Sequence, residues 1–130
     1  MIVVDASAAI EWLLDSRKGK DVRRRTLADQ GTLHAPQLLD LEVCQVLRRF
    51  VREGHLRARR AEQALQDLMD APIRRYPHVP FVRRVWELRG NFTAYDAVYV
   101  ALAEVLGATL LTCDEKLAAA PYRGARLELV

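Results

Sequence analysis

Four carboxylates in this chain stand beside separate apolar runs, and their types and positions are suited to metal chemistry. They are Asp5, Glu42, Asp96 and Asp114. An isolated carboxylate is costly to bury unless an opposite charge neutralises it, and a divalent cation does so most directly. The three histidines and two cysteines lack metal-ligand spacing, which leaves an all-oxygen set. We therefore predict a catalytic Mg²⁺ site, with Mn²⁺ as a substitute.

Such a site could hydrolyse a phosphodiester. One or two divalent ions polarise the phosphate, lower the pKa of a bound water and stabilise the departing oxygen. No protein nucleophile is then required. The chain contains no nucleophile-elbow motif, P-loop or glycine-rich dinucleotide fingerprint that would indicate another chemistry.

The elements that must position these acids follow from an alternation of short apolar runs with longer amphipathic stretches. This alternation predicts an α/β fold, with repeated βαβ units around a parallel sheet. Strands are predicted at 2–4, 33–35, 73–76, 109–111 and 127–130, and helices at 8–14, 19–28, 36–53, 58–69, 81–90, 96–106 and 115–119. Pro36 is placed in the first turn of its helix, where a missing N–H does no harm.

Two of the acids are expected at one edge of this sheet. Asp5 and Asp114 follow the ends of their strands, and open parallel sheets carry ligand sites at the carboxyl ends of the strands. Ser7 and Thr112 could add hydroxyl contacts to metal-bound water.

The other two acids belong to helices packed beside that edge. Glu42 lies four residues from Leu38 and from Val46, so it borders the buried stripe of its helix. Asp40 points about 200° away by the helical period and is the weaker candidate. Asp96 opens one of the most apolar helices of the chain, predicted at 96–106.

A purely structural role remains open for each acid. Asp5 could cap the helix after the first strand, and Glu42 could pair with a neighbouring arginine. Thr93 to Asp96 and Thr112 to Glu115 can both be interpreted as variants of a capping box.

The amino-acid sequences of four segments resemble those of PIN domains, specifically of VapC-type toxins. The segments are Val-Val-Asp-Ala-Ser at the N-terminus, Leu-Glu-Val before Val-Leu-Arg-Arg, Tyr-Asp-Ala-Val-Tyr-Val-Ala-Leu-Ala, and Leu-Leu-Thr-Cys-Asp-Glu-Lys-Leu. They occur in the family's order and span nearly the whole chain. The resemblance implies a three-layer sandwich with a central parallel sheet of about five short strands in the order 3-2-1-4-5.

The same resemblance implies a function. It indicates a magnesium-dependent endoribonuclease that inhibits growth by RNA cleavage, as the toxin of a type II toxin-antitoxin system. The implied partners are RNA, a cognate VapB-type antitoxin and a second copy in a homodimer. The antitoxin would insert a C-terminal segment into a groove near the acids. Trp12 and Leu13 are candidates for the groove, although core packing is the favoured explanation for both.

Size and composition are consistent with this interpretation. We expect one domain over the 130 residues, since 51% are hydrophobic and 28% charged, as in globular proteins. No apolar run approaches the roughly 20 residues that span a membrane, and Asp5 interrupts the N-terminal apolar stretch, so we expect a cytoplasmic location without a signal peptide. The net charge of +3 mildly favours an anionic partner.

The basic residues are gathered into short clusters that could bind phosphate. They include Arg17 to Lys20, Arg23 to Arg25, Arg48 and Arg49, Arg57 to Arg60, Arg74 and Arg75, and Arg83 and Arg84. Adjacent charges more often form solvated helix faces.

Two alternatives to a nuclease remain. An acidic-pocket phosphotransfer domain would share the doubly wound sheet, but Asp5-Ala6-Ser7 matches neither adjacent acids nor an Asp-x-Asp motif. A non-catalytic RNA-binding or partner-binding module of the same fold is the other alternative.

Overall fold

The computed structural model describes residues 1–130, which form one five-stranded parallel sheet with helices packed against it. The strands are β1 (Ile2–Val4), β2 (Leu33–Pro36), β3 (Ile73–Tyr76), β4 (Thr109–Thr112) and β5 (Arg126–Leu129). The helices are α1 (Ala6–Leu13), α2 (Arg17–Asp29), α3 (Leu38–Arg52), α4 (Ala58–Asp70), α5 (Val82–Glu87), α6 (Ala94–Leu106) and α7 (Glu115–Ala118).

The strand order is β3-β2-β1-β4-β5, and every neighbouring pair is parallel. This confirms the expected fold class and the order 3-2-1-4-5. The chain leaves β1 toward β2 on one side and reaches β4 on the other side, so the winding direction reverses between β1 and β4. Ligand sites of open parallel sheets lie at such a reversal, beyond the carboxyl ends of the strands.

The core is centred on β1 and α6. All three residues of β1 are buried, as are seven consecutive residues of α6, Ala97 to Ala103. A helix that is apolar on all sides is a buried one. This explains why α6 is the least amphipathic of the long helices and why it packs across the middle of the sheet. No helix is long and apolar enough to cross a membrane.

Two local predictions were wrong. Pro36 is the last residue of β2 rather than a first-turn helix residue. The ring removes one N–H donor, but a strand end tolerates this because the next amide, that of Gln37, donates to the carbonyl of Tyr76 at 2.8 Å. The continuous helix predicted before Gly90 is only six residues long, and a 3₁₀ turn flanks it on each side, at Val79–Phe81 and at Leu88–Gly90.

Candidate metal and catalytic site

Asp5 lies at the junction of β1 and α1 and is almost completely enclosed. Its carboxylate caps α1, because Oδ1 accepts a hydrogen bond from the amide of Ala8 at 2.9 Å. The Ser7 hydroxyl also donates to Oδ1, at 2.7 Å, and the Thr112 hydroxyl donates to Oδ2. Only 5% of Asp5 is exposed, and this burial raises its pKa against the opposing effect of the hydrogen bonds.

Ser7 and Thr112 join the two strand ends around Asp5. The Ser7 hydroxyl accepts from the amide of Cys113 at 2.8 Å, and the Thr112 hydroxyl accepts from the amide of Asp114 at 3.0 Å. The two hydroxyl oxygens are 3.2 Å apart. Both hydroxyls therefore orient Asp5 and fix the turn after β4.

Asp114 follows β4 and caps the short helix α7. Its Oδ1 accepts from the amides of Lys116 at 2.8 Å and of Leu117 at 3.3 Å. A capping box over these residues would place the cap at Thr112, but the residue that caps α7 is Asp114. Asp114 is exposed, in contrast to Asp5.

Glu42 reaches the site from α3 and is partly buried. The hydroxyl of Tyr99, which is only 2% exposed, donates to Glu42 Oε1 at 2.7 Å. Burial raises the pKa of Glu42, and burial followed by the charge of Glu42 raises the pKa of Tyr99. Sequence reasoning missed Tyr99, although it lies three residues after Asp96 and so on the same side of α6.

Asp40, the acid two residues before Glu42, has a different role. Its carboxylate forms a bidentate ion pair with the guanidinium of Arg75, with N···O distances between 2.9 and 3.1 Å. This arginine also donates to the carbonyls of Leu68 and Ile73. Asp40 therefore ties α3 to α4 and β3.

Asp96 enters from the first turn of α6. The Thr93 hydroxyl caps this helix by accepting from the Asp96 amide at 3.2 Å, which is one half of the predicted capping box. The Asp96 carboxylate is partly buried, and burial followed by the charge of Asp114 raises its pKa.

The four carboxylates form one electrostatic group. Burial is the largest cause of the raised pKa of Asp5, Asp96 and Glu42, and neighbouring negative charges add to it. The charge of Asp114 raises the pKa of Asp5 and of Asp96, and the charges of Asp96 and Asp5 raise the pKa of Glu42. None of the four forms an ion pair with a basic residue. Most other partly buried acids do: Asp21, Asp29, Asp40, Glu104 and Glu128 each contact a cation within 4 Å, whereas Glu11 accepts a hydrogen bond from the Ser16 hydroxyl instead. The fold therefore gathers negative charge at this edge and leaves it without a protein counter-ion.

The donor set suits a hard divalent cation, because it consists of carboxylate and hydroxyl oxygens. No three Asp, Glu, His or Cys side chains converge closely enough to hold one ion together. Helix capping engages one carboxylate oxygen of Asp5 and one of Asp114, and the Tyr99 hydroxyl engages one of Glu42. Mg²⁺ is commonly held by one or two carboxylates with water completing its octahedron, so the set fits this ion.

Comparison with known proteins gives a consistent result. A family model described as "PIN domain" matches residues 2–121. The chain is 40% identical over 130 residues to Ribonuclease VapC12 of Mycobacterium tuberculosis, covering 100% of this chain and 99% of that protein.

Two solved structures also resemble it. The crystal structure of PAE2754 from Pyrobaculum aerophilum has a TM-score of 0.70 at 28% identity, covering 97% of this chain and 82% of that one. VapBC2 from Rickettsia felis, solved with a DNA fragment from the promoter, has a TM-score of 0.66 at 17% identity, with 99% and 98% covered. At that identity the second likeness concerns the fold alone.

Proposed function

The chain belongs to the PIN-domain family, among the VapC proteins, and on this basis we propose that it is a magnesium-dependent endoribonuclease. We propose that residues 1–130 form a single PIN domain and act as the toxin of a type II toxin-antitoxin system. In this proposal the protein inhibits growth by RNA cleavage, and a cognate VapB-type antitoxin neutralises it. The ribonuclease name of a relative matched over the whole chain supports the reaction class.

The observation that carries the proposal is the unneutralised carboxylate cluster at the carboxyl edge of the sheet. The acids come from four separate elements and have no lysine, arginine or histidine partner, and burial followed by the charges of the neighbouring acids raises the pKa of Asp5, Glu42 and Asp96. A capping role accounts for Asp5 and Asp114 individually, but it does not account for Glu42, which caps nothing. A bound cation accounts for all four.

In the proposed reaction Asp5, Glu42, Asp96 and Asp114 would hold Mg²⁺, or Mn²⁺ in its place, with one or two of them as direct ligands and the others bound through water. The ion would supply Lewis acidity toward the phosphodiester and a more acidic water. Ser7 and Thr112 orient the Asp5 carboxylate by donating one hydrogen bond to each of its oxygens, and these bonds oppose the rise in its pKa that burial causes. The Tyr99 hydroxyl fixes one oxygen of Glu42 and leaves the other free. Asp114 is exposed and already engaged as a cap, which favours contact through water.

We also propose a homodimer and a location in the cytoplasm, as expected for a toxin that acts on RNA. A partner of the VapB type is proposed because the chain belongs among the VapC proteins. Trp12 is partly exposed beside a cavity that Arg60 and Pro72 also line, and so remains a candidate contact. Leu13 is 6% exposed and belongs to the core.

The test is a cleavage assay on total cellular RNA with Mg²⁺, with Mn²⁺ and with excess EDTA, followed by mapping of product ends. We expect cleavage only with metal, with 5′-phosphate and 3′-hydroxyl ends, because water attacks phosphorus in place of the ribose 2′-hydroxyl. Glu42→Gln should remove most of the activity. Asp40→Asn is the matched control on the same helix and should retain it.

Cleavage in EDTA, or 2′,3′-cyclic phosphate ends, would exclude this mechanism. Absence of cleavage under every condition, with intact RNA binding, would favour the non-catalytic alternative. Expression with and without the neighbouring small open reading frame then tests the toxin role: growth arrest should occur only without the antitoxin.

A further inference from the structure

Three exposed arginines near the C-terminal end of α3 form a basic surface that lies outside the carboxylate cluster. They are Arg48, Arg49 and Arg52, here called the α3 arginine stripe. All three are exposed, and together with Gln45 and Glu53 they line a concavity of about 340 Å³ that contains no hydrophobic residue.

The stripe lies on the helix that carries Glu42. Gln45, Arg49 and Arg52 follow Glu42 by three, seven and ten residues. These intervals keep them within about 80° of Glu42 around the helix axis, while Arg48, six residues after Glu42, lies about 120° away. At 1.5 Å per residue, the stripe begins about 9 Å from Glu42 along the axis and ends at about 15 Å. Arg49 and Arg52 therefore lead away from the proposed site on the same side of the helix, and Arg48 widens the basic surface.

The stripe differs from the cluster Arg23 to Arg25 because its charges are not paired with carboxylates. Arg23, Arg24 and Arg25 each contact a carboxylate, on Asp15, Asp21 and Glu128 respectively. None of Arg48, Arg49 and Arg52 forms such a pair. The one acid in the concavity, Glu53, lies 3.5 Å from the imidazole of His55 instead. Three adjacent positive charges therefore stay available to an external anion.

We propose that the α3 arginine stripe binds backbone phosphates of the RNA strand and so holds it on one side of the cleavage point. This inference rests on the proposed ribonuclease function and adds the surface by which the substrate is held. An RNA strand is favoured over a protein partner, since a peptide-binding surface needs apolar anchors that the concavity lacks. Guanidinium groups bind phosphate through paired donors, and phosphate contacts position a nucleic acid without reading its sequence.

Stabilisation of the α3 helix dipole is an alternative role for these arginines, and it predicts a different experimental result. Arg49 and Arg52 lie in the last turn of α3, where cations stabilise the negative end of the helix dipole. Arg48 lies before that turn and gains little from the dipole. A dipole role would therefore affect the melting temperature, while RNA binding would follow only the total charge of the protein.

The experiment compares two triple variants of equal net charge. The stripe variant is Arg48→Gln, Arg49→Gln and Arg52→Gln. The control is Arg24→Gln, Arg89→Gln and Arg123→Gln, three exposed arginines on other segments. Both are made in an Asp96→Asn background to prevent cleavage. The probe is a fluorescein-labelled 20-nucleotide oligouridine, and its affinity is measured by anisotropy over a series of salt concentrations.

The expected result is a change in salt dependence for the stripe variant only. Each phosphate contact on a single strand contributes about 0.7 to the slope of log affinity against log salt, so three contacts contribute about 2. The stripe variant should therefore bind about 100-fold more weakly at 0.1 M salt, while the control keeps its slope. An Arg→Lys version of the stripe should recover most of the lost affinity, since lysine keeps the charge.

Cleavage by the otherwise wild-type protein gives a second readout. Substrates shortened one nucleotide at a time from either end should lose cleavage efficiency asymmetrically, and the stripe variant should remove this asymmetry by raising KM more than it lowers kcat. The 5′ and 3′ series together identify the side that the stripe holds.

Several outcomes would overturn the inference. An unchanged salt slope, or equal losses in the stripe variant and the control, would assign these arginines to the solvated surface. A lower melting temperature with normal RNA binding would assign them to the helix dipole. Normal RNA binding with loss of a co-expressed antitoxin would assign the surface to the protein partner. If the wild type neither binds nor cleaves RNA, the proposed function itself fails, which is a distinct result.

Discussion

Removal of one charge from the carboxylate cluster should stabilise the metal-free protein. In Asp96→Asn the side chain keeps its shape, while its repulsion with Asp114 and Glu42 disappears. Unit charges about 4 Å apart repel by about 1 kcal/mol in water and by about 4 kcal/mol near a protein surface, so about 1 kcal/mol per pair is taken for these partly exposed carboxylates. Two pairs give about 2 kcal/mol, which solvent screening of a partly exposed group reduces to about 1.5 kcal/mol.

A smaller opposing contribution comes from α6. Asp96 lies in the first turn of this helix, where a negative charge stabilises it by about 0.5 kcal/mol. The net gain is about 1 kcal/mol, which corresponds to a rise of roughly 3 to 5 °C in melting temperature for a domain of this size. The substitution leaves the helix cap intact, because the bond to the Thr93 hydroxyl comes from the backbone amide of position 96 and not from the side chain.

Thermal unfolding in EDTA and in 10 mM Mg²⁺ measures both parts of this prediction. With a dissociation constant of about 1 mM, binding to the folded state alone adds about 1.4 kcal/mol to the wild type. Asp96→Asn should melt higher than the wild type in EDTA and should lose most of the Mg²⁺ shift. Asp40→Asn, the matched control, should melt lower because Arg75 loses its partner, and should keep that shift.

A lower melting temperature of Asp96→Asn in EDTA, together with an intact Mg²⁺ shift, would refute this reasoning. It would mean that the Asp96 carboxylate stabilises its helix and does not hold the metal.

The remaining predictions concern the other members of the cluster. The stabilisation by Asp96→Asn at pH 7 should shrink as the pH falls through the pKa of Asp96, which burial and then the charge of Asp114 raise, because protonation of the wild-type carboxyl removes the same charge. Urea unfolding of both proteins over this range tests this. Burial lowers the pKa of His34, but both proteins contain His34, so its effect cancels in their difference. A constant difference would exclude charge repulsion as its cause. Thr112→Val should weaken Mg²⁺ binding and lower kcat at least tenfold, since Asp5 Oδ2 loses its hydroxyl donor; unchanged kinetics would separate this bond from catalysis. Asp114→Asn should lower cleavage less than Glu42→Gln does, and the reverse order in a side-by-side assay would contradict the proposed water-mediated role of Asp114.

The sequence by itself determined which elements form and where two of the acids lie on them. Asp5 and Asp114 follow short apolar strands and precede helices, so local hydrogen bonding alone puts them at strand ends as helix caps. The helical period placed Glu42 on the buried side of its helix and Asp40 away from it. The strand order came from resemblance to a family, because the alternating pattern permits several doubly wound orders.

The tertiary structure decided which groups surround those acids. The Thr112 hydroxyl meets Asp5 across 107 residues of sequence, and the Tyr99 hydroxyl meets Glu42 across 57. The two-pronged pair between Arg75 and Asp40 likewise joins separate elements. Periodicity fixes the side of an element on which a residue lies, but it does not fix the register between elements that are distant in the chain.

The same limit explains why Pro36 was wrongly predicted to start a helix, and why the sequence did not show which arginine cluster is paired with carboxylates. Pro36 suits a helix start by local rules, and only its pairing with β3 makes it a strand residue. The clusters Arg23 to Arg25 and Arg48 to Arg49 look equivalent in sequence. The fold gives the first cluster carboxylate partners from α2 itself, from the turn before α2 and from β5, and leaves the second unpaired, because charge pairing depends on which elements pack together.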